Sequence, residues 1–357
     1  MALKRRVSVS AACGVVATIG LLAGCGNSGH SSNDATTSGA SQYKGETIRW
    51  VIDSTPGTSL YDEASILAPH IGAYLHATVD IVPMPAGAGI PGQDYVADAS
   101  PNGMTIGTLN SGTDLIDPLM GLPSISFKMQ DEAIIGAEGA SPVVFIACKG
   151  SPFTTFSQAL ADKKVFNAIT FQGATNAGQE ILFGGYGAQS HFVSGYASQA
   201  DAAAGCLRGD GYTDYNALAS AGIASGISAG QLHPLLMGGP IPAGSADYSI
   251  LSKVPTIAQF VAEHPPPAKN KTAVDAISKL WNGDPNDIYF APKGTPSSLV
   301  AALTAAFKAV MAMPSVQKQE LTQGFSTTYI SPDSAYKLLA AAVQGLDAGK
   351  TLLTYNK

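Results

Sequence analysis

Arginine is nearly absent from this chain. Arg5, Arg6, Arg49 and Arg208 are the whole inventory in 357 residues, and only 13% of residues are charged. Nucleic-acid binding draws on many basic contacts to phosphate, so no nucleic-acid partner is expected. Low charge combined with 45% hydrophobic residues also excludes a polyelectrolyte-type disordered chain. The six histidines show no metal-ligand spacing, and neither Cys148 nor Cys206 neighbours another cysteine, so neither a metal nor any other cofactor is expected. No period of 20–50 residues repeats, which excludes a solenoid or propeller. Acidic doublets such as Asp62-Glu63 and Asp131-Glu132 read as solvated helix starts.

What is present begins with an address. Lys4-Arg5-Arg6 precedes an uncharged apolar run from Val7 to Ala23, and Leu22-Ala23-Gly24-Cys25 follows. A basic start, an apolar stretch and small residues before a cut site describe an export signal over 1–24. The tetrad resembles a bacterial lipobox, which implies acylation at Cys25, with palmitate among the chains, and a lipid anchor that does not span. Residues 25–44 hold almost no large apolar side chain and read as a flexible tether, with folded structure from about Thr47. Without the signal the chain carries 17 basic against 26 acidic residues, a net charge of −9. An anionic ligand must then be held by local features. Export also leaves Cys148 and Cys206 in an oxidising compartment, where a disulfide is favoured over two separate buried thiols.

At roughly 100–200 residues per domain, the remaining length favours two lobes. Short β-rich runs (Ile48–Ile52, Val79–Val82, Met104–Leu109, Val143–Cys148, Leu232–Met237, Ile288–Ala291) alternate with helical spacing, as in Asp62–Leu75 and Ala177–Tyr186. The last third is helical, with Pro296, Pro314 and Pro332 near helix starts. Alternation of this kind implies an α/β fold with parallel sheets flanked by helices.

Two catalytic-looking motifs are weak. Gly87-Ala88-Gly89-Ile90-Pro91-Gly92 matches G-x-G-x-x-G, but Pro91 and the exported setting favour a structural turn over a dinucleotide site. Gly226-Ile227-Ser228-Ala229-Gly230 matches the nucleophile elbow, with Asp247 and His264 as nominal partners, yet its flank is small and helix- or loop-like. A secreted serine hydrolase using Ser228 is the enzyme alternative. What recurs is a Gly- or Ser-rich loop between a strand and a helix, at 53–59, 109–113, 150–154 and 173–178. Helix amino ends converging on one cleft would bind an anion without arginine.

These residues resemble the substrate-binding proteins of tripartite tricarboxylate transporters, the Bug-type receptors. The resemblance runs in order through Ile66-Leu67-Ala68-Pro69-His70, the glycine turn Pro85–Gly92, Pro101-Asn102-Gly103-Met104-Thr105 and Ser151–Thr155. It continues through Gly173-Ala174-Thr175-Asn176-Ala177-Gly178, Tyr196, Leu207–Asp214, Val254-Pro255-Thr256 and Ala291–Pro296. The chain departs from the family at Pro56-Gly57, at Asp62-Glu63-Ala64-Ser65 where an arginine is usual, and at Asn102; Pro265–Lys279 reads as an insertion.

The resemblance implies a two-lobed, type II periplasmic-binding-protein-like fold, each lobe a mostly parallel sheet flanked by helices. Lobe one would be 45–140 plus 241–357 and lobe two 141–240, with hinges at Gly139-Ala140 and Gly238-Gly239. It implies a monomeric, non-enzymatic receptor that captures a small carboxylate and passes it to membrane permease subunits, or alternatively feeds a signalling partner. The protein would sit on the outer face of the cytoplasmic membrane or in the periplasm. Ligand contacts are expected from Ser54, Thr55, Gly57, Thr58, Asn110, Ser111 and Gly112, and across the cleft from Ser151, Thr175, Asn176, Ala177, Tyr196 and Asp214.

Overall fold

A computed structural model describes residues 39–352, except 112–113, 115–124, 140–142, 162–164, 172–176, 197–198, 219–221, 246–247 and 282–285. Cys25 and the expected export signal lie outside the described residues. Among the described residues no single helix is long and apolar enough to cross a membrane.

The first sheet contains β1 (Thr47–Ile52), β2 (Thr78–Pro83), β3 (Thr105–Asn110), β4 (Ala133–Glu138), β10 (Asp287–Ala291) and β11 (Tyr329–Ile330), in the order β11-β4-β10-β3-β1-β2. The second contains β5 (Val143–Ala147), β6 (Val165–Phe171), β7 (Gln189–Tyr196), β8 (Thr213–Ala217) and β9 (His233–Met237), in the order β7-β6-β8-β5-β9. Each sheet has a parallel block of three, then one reversed strand, then one that runs with the block, and the first sheet adds a second reversed strand, β11, at its edge. Most strands in each sheet therefore point the same way. The reversed strand next to the block, β10 or β5, is in each case the one reached after the chain has left the other sheet. That shared order is the type II arrangement.

Burial follows position in the sheet. Central β3 and β10 are buried almost throughout, whereas edge strand β2 alternates between exposed and half-buried residues. Ile48, Trp50 and Ile52 of β1 face one core layer and Val51 the other; Phe145 and Val144 divide the same way in β5. Trp50 packs edge-on against Tyr289 and Phe307, and its indole N–H donates to Thr108 Oγ1 at 2.7 Å.

Helices cover both sheets. On the first lie α2 (Ser59–Leu75), α3 (Ile90–Ala97), α11 (Ser297–Met311), α12 (Pro314–Gln323) and α13 (Pro332–Leu346), preceded by a turn of helix at 39–43, α1. That turn corrects the expected tether boundary. Tyr43 is fully buried in the first core and Ala40 packs beside it, so the body begins at or before residue 39. The aromatic ring offsets the ordering cost of an otherwise polar segment.

On the second sheet lie α4 (Phe156–Ala161), α5 (Ala177–Gly185), α6 (Gln199–Arg208), α7 (Ile223–Ser228), α8 (Tyr248–Leu251), α9 (Ile257–Glu263) and α10 (Lys271–Trp281). Ile257, Phe260, Val274, Ile277 and Trp281 share one core with Phe145 and Phe183. The expected insertion 265–279 thus contains most of a core helix. Gly238, expected to begin the return passage, instead extends the second sheet: its N–H donates to Val143 O at 2.8 Å. Cys148 and Cys206 are disulfide-bonded with Cα atoms 4.7 Å apart, tying the end of β5 to α6 within a buried layer.

Candidate functional site

The carboxyl ends of β1 and β3 lie at one edge of the first sheet, since β1 and β3 are parallel and Val51 aligns with Gly107. The chain crosses to the second sheet from this same edge. Glu138 ends β4 just before passage 139–142, and Asp287 opens β10 just after passage 282–286. Asn286 N–H donates to Glu138 O at 2.9 Å, and Ser111 N–H to Asn286 O at 2.8 Å, so the end of β4, the residue before β10 and the loop after β3 are knit together. In open α/β sheets this is the crevice where ligands bind.

The loop after β1 turns into α2. Gly57 has a φ of +87°, the left-handed region that favours glycine, and its N–H donates to Asp62 Oδ1 at 3.2 Å. Thr58 occupies the N-cap position, yet its hydroxyl donates back to Thr55 O at 2.7 Å and does not cap the helix. The amino end of a 17-residue helix therefore keeps its backbone donors for another acceptor. Ser54 is half-buried and donates its hydroxyl to Asp53 Oδ1 at 2.9 Å. Asn110 spends its side-chain amide on Asp287 Oδ1 at 2.8 Å.

Of the expected ligand residues, the structure brings Ser54, Thr55, Gly57, Thr58, Asn110 and Ser111 to this edge. Gly112, Thr175 and Asn176 lie outside the described residues, and Ala177 opens α5. Ser151 and Asp214 are placed elsewhere, whereas Tyr196 ends β7 beside Phe171, the last residue of parallel β6. Ser151 follows β5 at the end of the second sheet away from the crossing, and its hydroxyl donates to Tyr212 O at 2.6 Å. The Tyr196 ring packs on Gly205 of α6 and its hydroxyl donates to Asp210 at 2.9 Å. Asp214 is buried in β8, where it accepts from Asn216 Nδ2 at 3.2 Å. Burial raises its pKa to about 6.

Neither arginine of the body reaches the crossing edge. Arg49 lines a surface depression at the amino ends of β1 and β3 and donates to Tyr95 at 3.2 Å. Arg208 pairs with exposed Asp210 at the end of α6.

The edge instead carries acid. Glu63 on α2, Glu138 and Asp287 are all buried, and one carboxylate oxygen from each lies within 4.8 Å of the others. Tyr289 donates its hydroxyl to Glu63 Oε1 at 2.5 Å, and Asn286 donates to Asp287 Oδ2 at 2.9 Å. Burial is the first cause that raises all three carboxyls; Glu63 raises the other two further, first by its charge and then by its hydrogen bonds to them. Asp53 nearby is raised to about 6, again by burial. The solvated reading of the doublets is therefore corrected, because Glu63 and Glu132 are 2% and 5% exposed. A signal existed. Glu63 falls in the stripe Leu60, Ala64, Leu67, Ile71, at helical spacing, so the core-facing side of α2 had to contain it.

Both motif matches resolve into structure. Ser228 is the exposed last residue of α7, with no strand leading into it, so the elbow geometry is lacking. In the glycine turn, a Cβ on Gly89 would lie 2.1 Å from Asp53 Cβ, and one on Gly92 would lie 2.8 Å from Met84 Cβ. Those glycines let the turn before α3 approach β1 closely.

No family model and no curated protein matches the sequence. Solved structures do match. Periplasmic binding protein BugD is 18% identical, covering 87% of this chain and 97% of its own, with a TM-score of 0.66. MatC from Rhodopseudomonas palustris with bound malate is 19% identical, covering 86% and 98%, with a TM-score of 0.64. A TctC solute-binding protein from Polaromonas is 19% identical, covering 87% and 98%, with a TM-score of 0.61. The fold is that of the TctC- and Bug-type solute-binding proteins.

Proposed function

We propose that the protein is an exported, lipid-anchored solute receptor that closes its two lobes on a small carboxylate and delivers it to membrane permease subunits. The observation that carries this reading is the uncapped amino end of α2 beside the Asn110–Ser111 loop, both at the crossing edge of a Bug-type fold. Backbone N–H groups and a favourable dipole end supply the anion contacts that arginine does not. Solved relatives of this fold with bound malate and adipate support the ligand class. Ser54, Thr55, Gly57, Thr58, Asn110, Ser111 and Gly112 would form the first wall, and Thr175, Asn176 and Ala177 the second. Ser151 and Asp214 drop out of the set.

The lobes would run 39–140 plus 283–352 and 141–282, because α9 and α10 share the second core. Closure stabilises the complex, since only then do both walls touch the ligand. Acylation at Cys25 would hold the receptor at the membrane, with the polar segment before residue 39 as its tether.

Ser59→Pro tests the wall directly. Ser59 is the first residue of α2, where proline is tolerated, and Thr58 already has the extended backbone (φ −99°, ψ 155°) that a following proline demands. The variant should fold with an unchanged melting temperature and lose one backbone donor. Carboxylate affinity should fall about 10- to 100-fold, the range for one hydrogen bond to a charged group. Titration calorimetry showing equal affinity in a folded variant would remove α2 from the site.

A further inference from the structure

We propose that Glu63, Glu138, Asp287 and Glu320 form a buried site for a hard divalent cation of the calcium class, at the crossing between the lobes. The first three present oxygens within 4.8 Å of one another. Two ligands on opposite sides of a calcium ion are separated by about twice 2.3–2.6 Å, so this spacing fits one shared coordination sphere. The second, independent observation is Glu320. It is fully buried, and neither carboxylate oxygen has a hydrogen-bond partner.

Glu320 sits in the last turn of α12, which packs on α2, and its carboxyl feels the charge of Glu63 while Glu138 feels its own. The carboxyl end of a helix is the negative end of its dipole, an unfavourable place for an unpaired carboxylate. Four buried acids close enough to feel one another's charge are costly unless a cation or shared protons neutralise them. Oxygen-only donors from carboxylates, with the Tyr289 hydroxyl and the Asn110 and Asn286 amides holding them in place, suit a hard cation and not a soft one. The site would also put positive charge beneath the Asn110–Ser111 loop. It stands on these residues alone and does not depend on the carboxylate reading.

The test uses the full chain stripped with a chelator, without any organic acid. Terbium is added with excitation in the aromatic band, because Tyr289 touches Glu63 and would sensitise emission. Saturable emission at one ion per chain, displaced by calcium, is expected, together with a calcium-dependent rise in melting temperature. Glu320→Gln, checked for folding by circular dichroism, should weaken terbium binding at least 10-fold. Absence of both sensitised emission and thermal shift at millimolar metal would overturn the site in favour of shared protons. Undiminished binding by the folded variant would overturn it in favour of surface carboxylates.

Discussion

Trp281→Ala is expected to destabilise the protein by about 3–5 kcal/mol, the range for deleting a buried tryptophan side chain. Trp281 is 3% exposed, stacks on Tyr215 with ring centroids 4.5 Å apart and lies 5.1 Å from Phe145. It also fills the space beside Gly178, where an added Cβ would sit 2.1 Å from the indole. One residue thus joins α10, β5, β8 and the start of α5. Its indole N–H has no hydrogen-bond partner, so Trp281→Phe removes an unsatisfied donor along with some volume and should cost much less. Because the proposed second wall leads into α5, the alanine variant should also bind ligand more weakly. Chemical denaturation measures the first effect. A loss below about 1 kcal/mol would detach α10 from the second core and restore the boundary at residue 241.

Asp214→Asn should stabilise the protein at pH 7.5 by up to about 3 kcal/mol and have little effect at pH 4. The folded-state pKa of Asp214 is raised from 3.8 to about 6 by burial. An acid raised on folding binds more protons in the folded than in the unfolded state between those two values. Stability from this group is therefore greatest near pH 4, falls as pH rises to about 6, and stays low above. Two pKa units correspond to roughly 3 kcal/mol. The amide keeps an oxygen for Asn216 and cannot ionise. Denaturation midpoints at the two pH values decide the matter; a variant less stable than the parent at both would mean that the carboxylate is compensated by a partner the amide cannot engage.

Much of the fold was legible because its signals are local. Apolar runs such as Ile48–Ile52 and Ile288–Ala291 became central strands, and the proline-led C-terminal helices begin where a missing N–H is harmless. What was misread depends on partners distant in sequence. Tyr43 anchors a polar segment against α11, more than 250 residues away, and nothing nearby announces it. Most of residues 265–279 form a helix defined by its packing on α5 and β5, not by a motif. The loops after β1 and β3 that meet at the crossing edge were readable from strand–loop–helix alternation. A loop's composition does not say which end of a sheet it serves, and Ser151 follows β5 at the end away from the crossing. The acid cluster draws on four elements, and only Glu63 advertised itself.

The central claim is that the cleft floor binds a small carboxylate without arginine. Isothermal titration of the full chain with a panel of di- and tricarboxylic, aromatic and amino acids tests it most directly, read alongside small-angle scattering. At least one acid should bind at one molecule per chain and reduce the radius of gyration as the lobes close. A folded protein that binds none of the panel at millimolar concentration, and does not contract, would contradict the account.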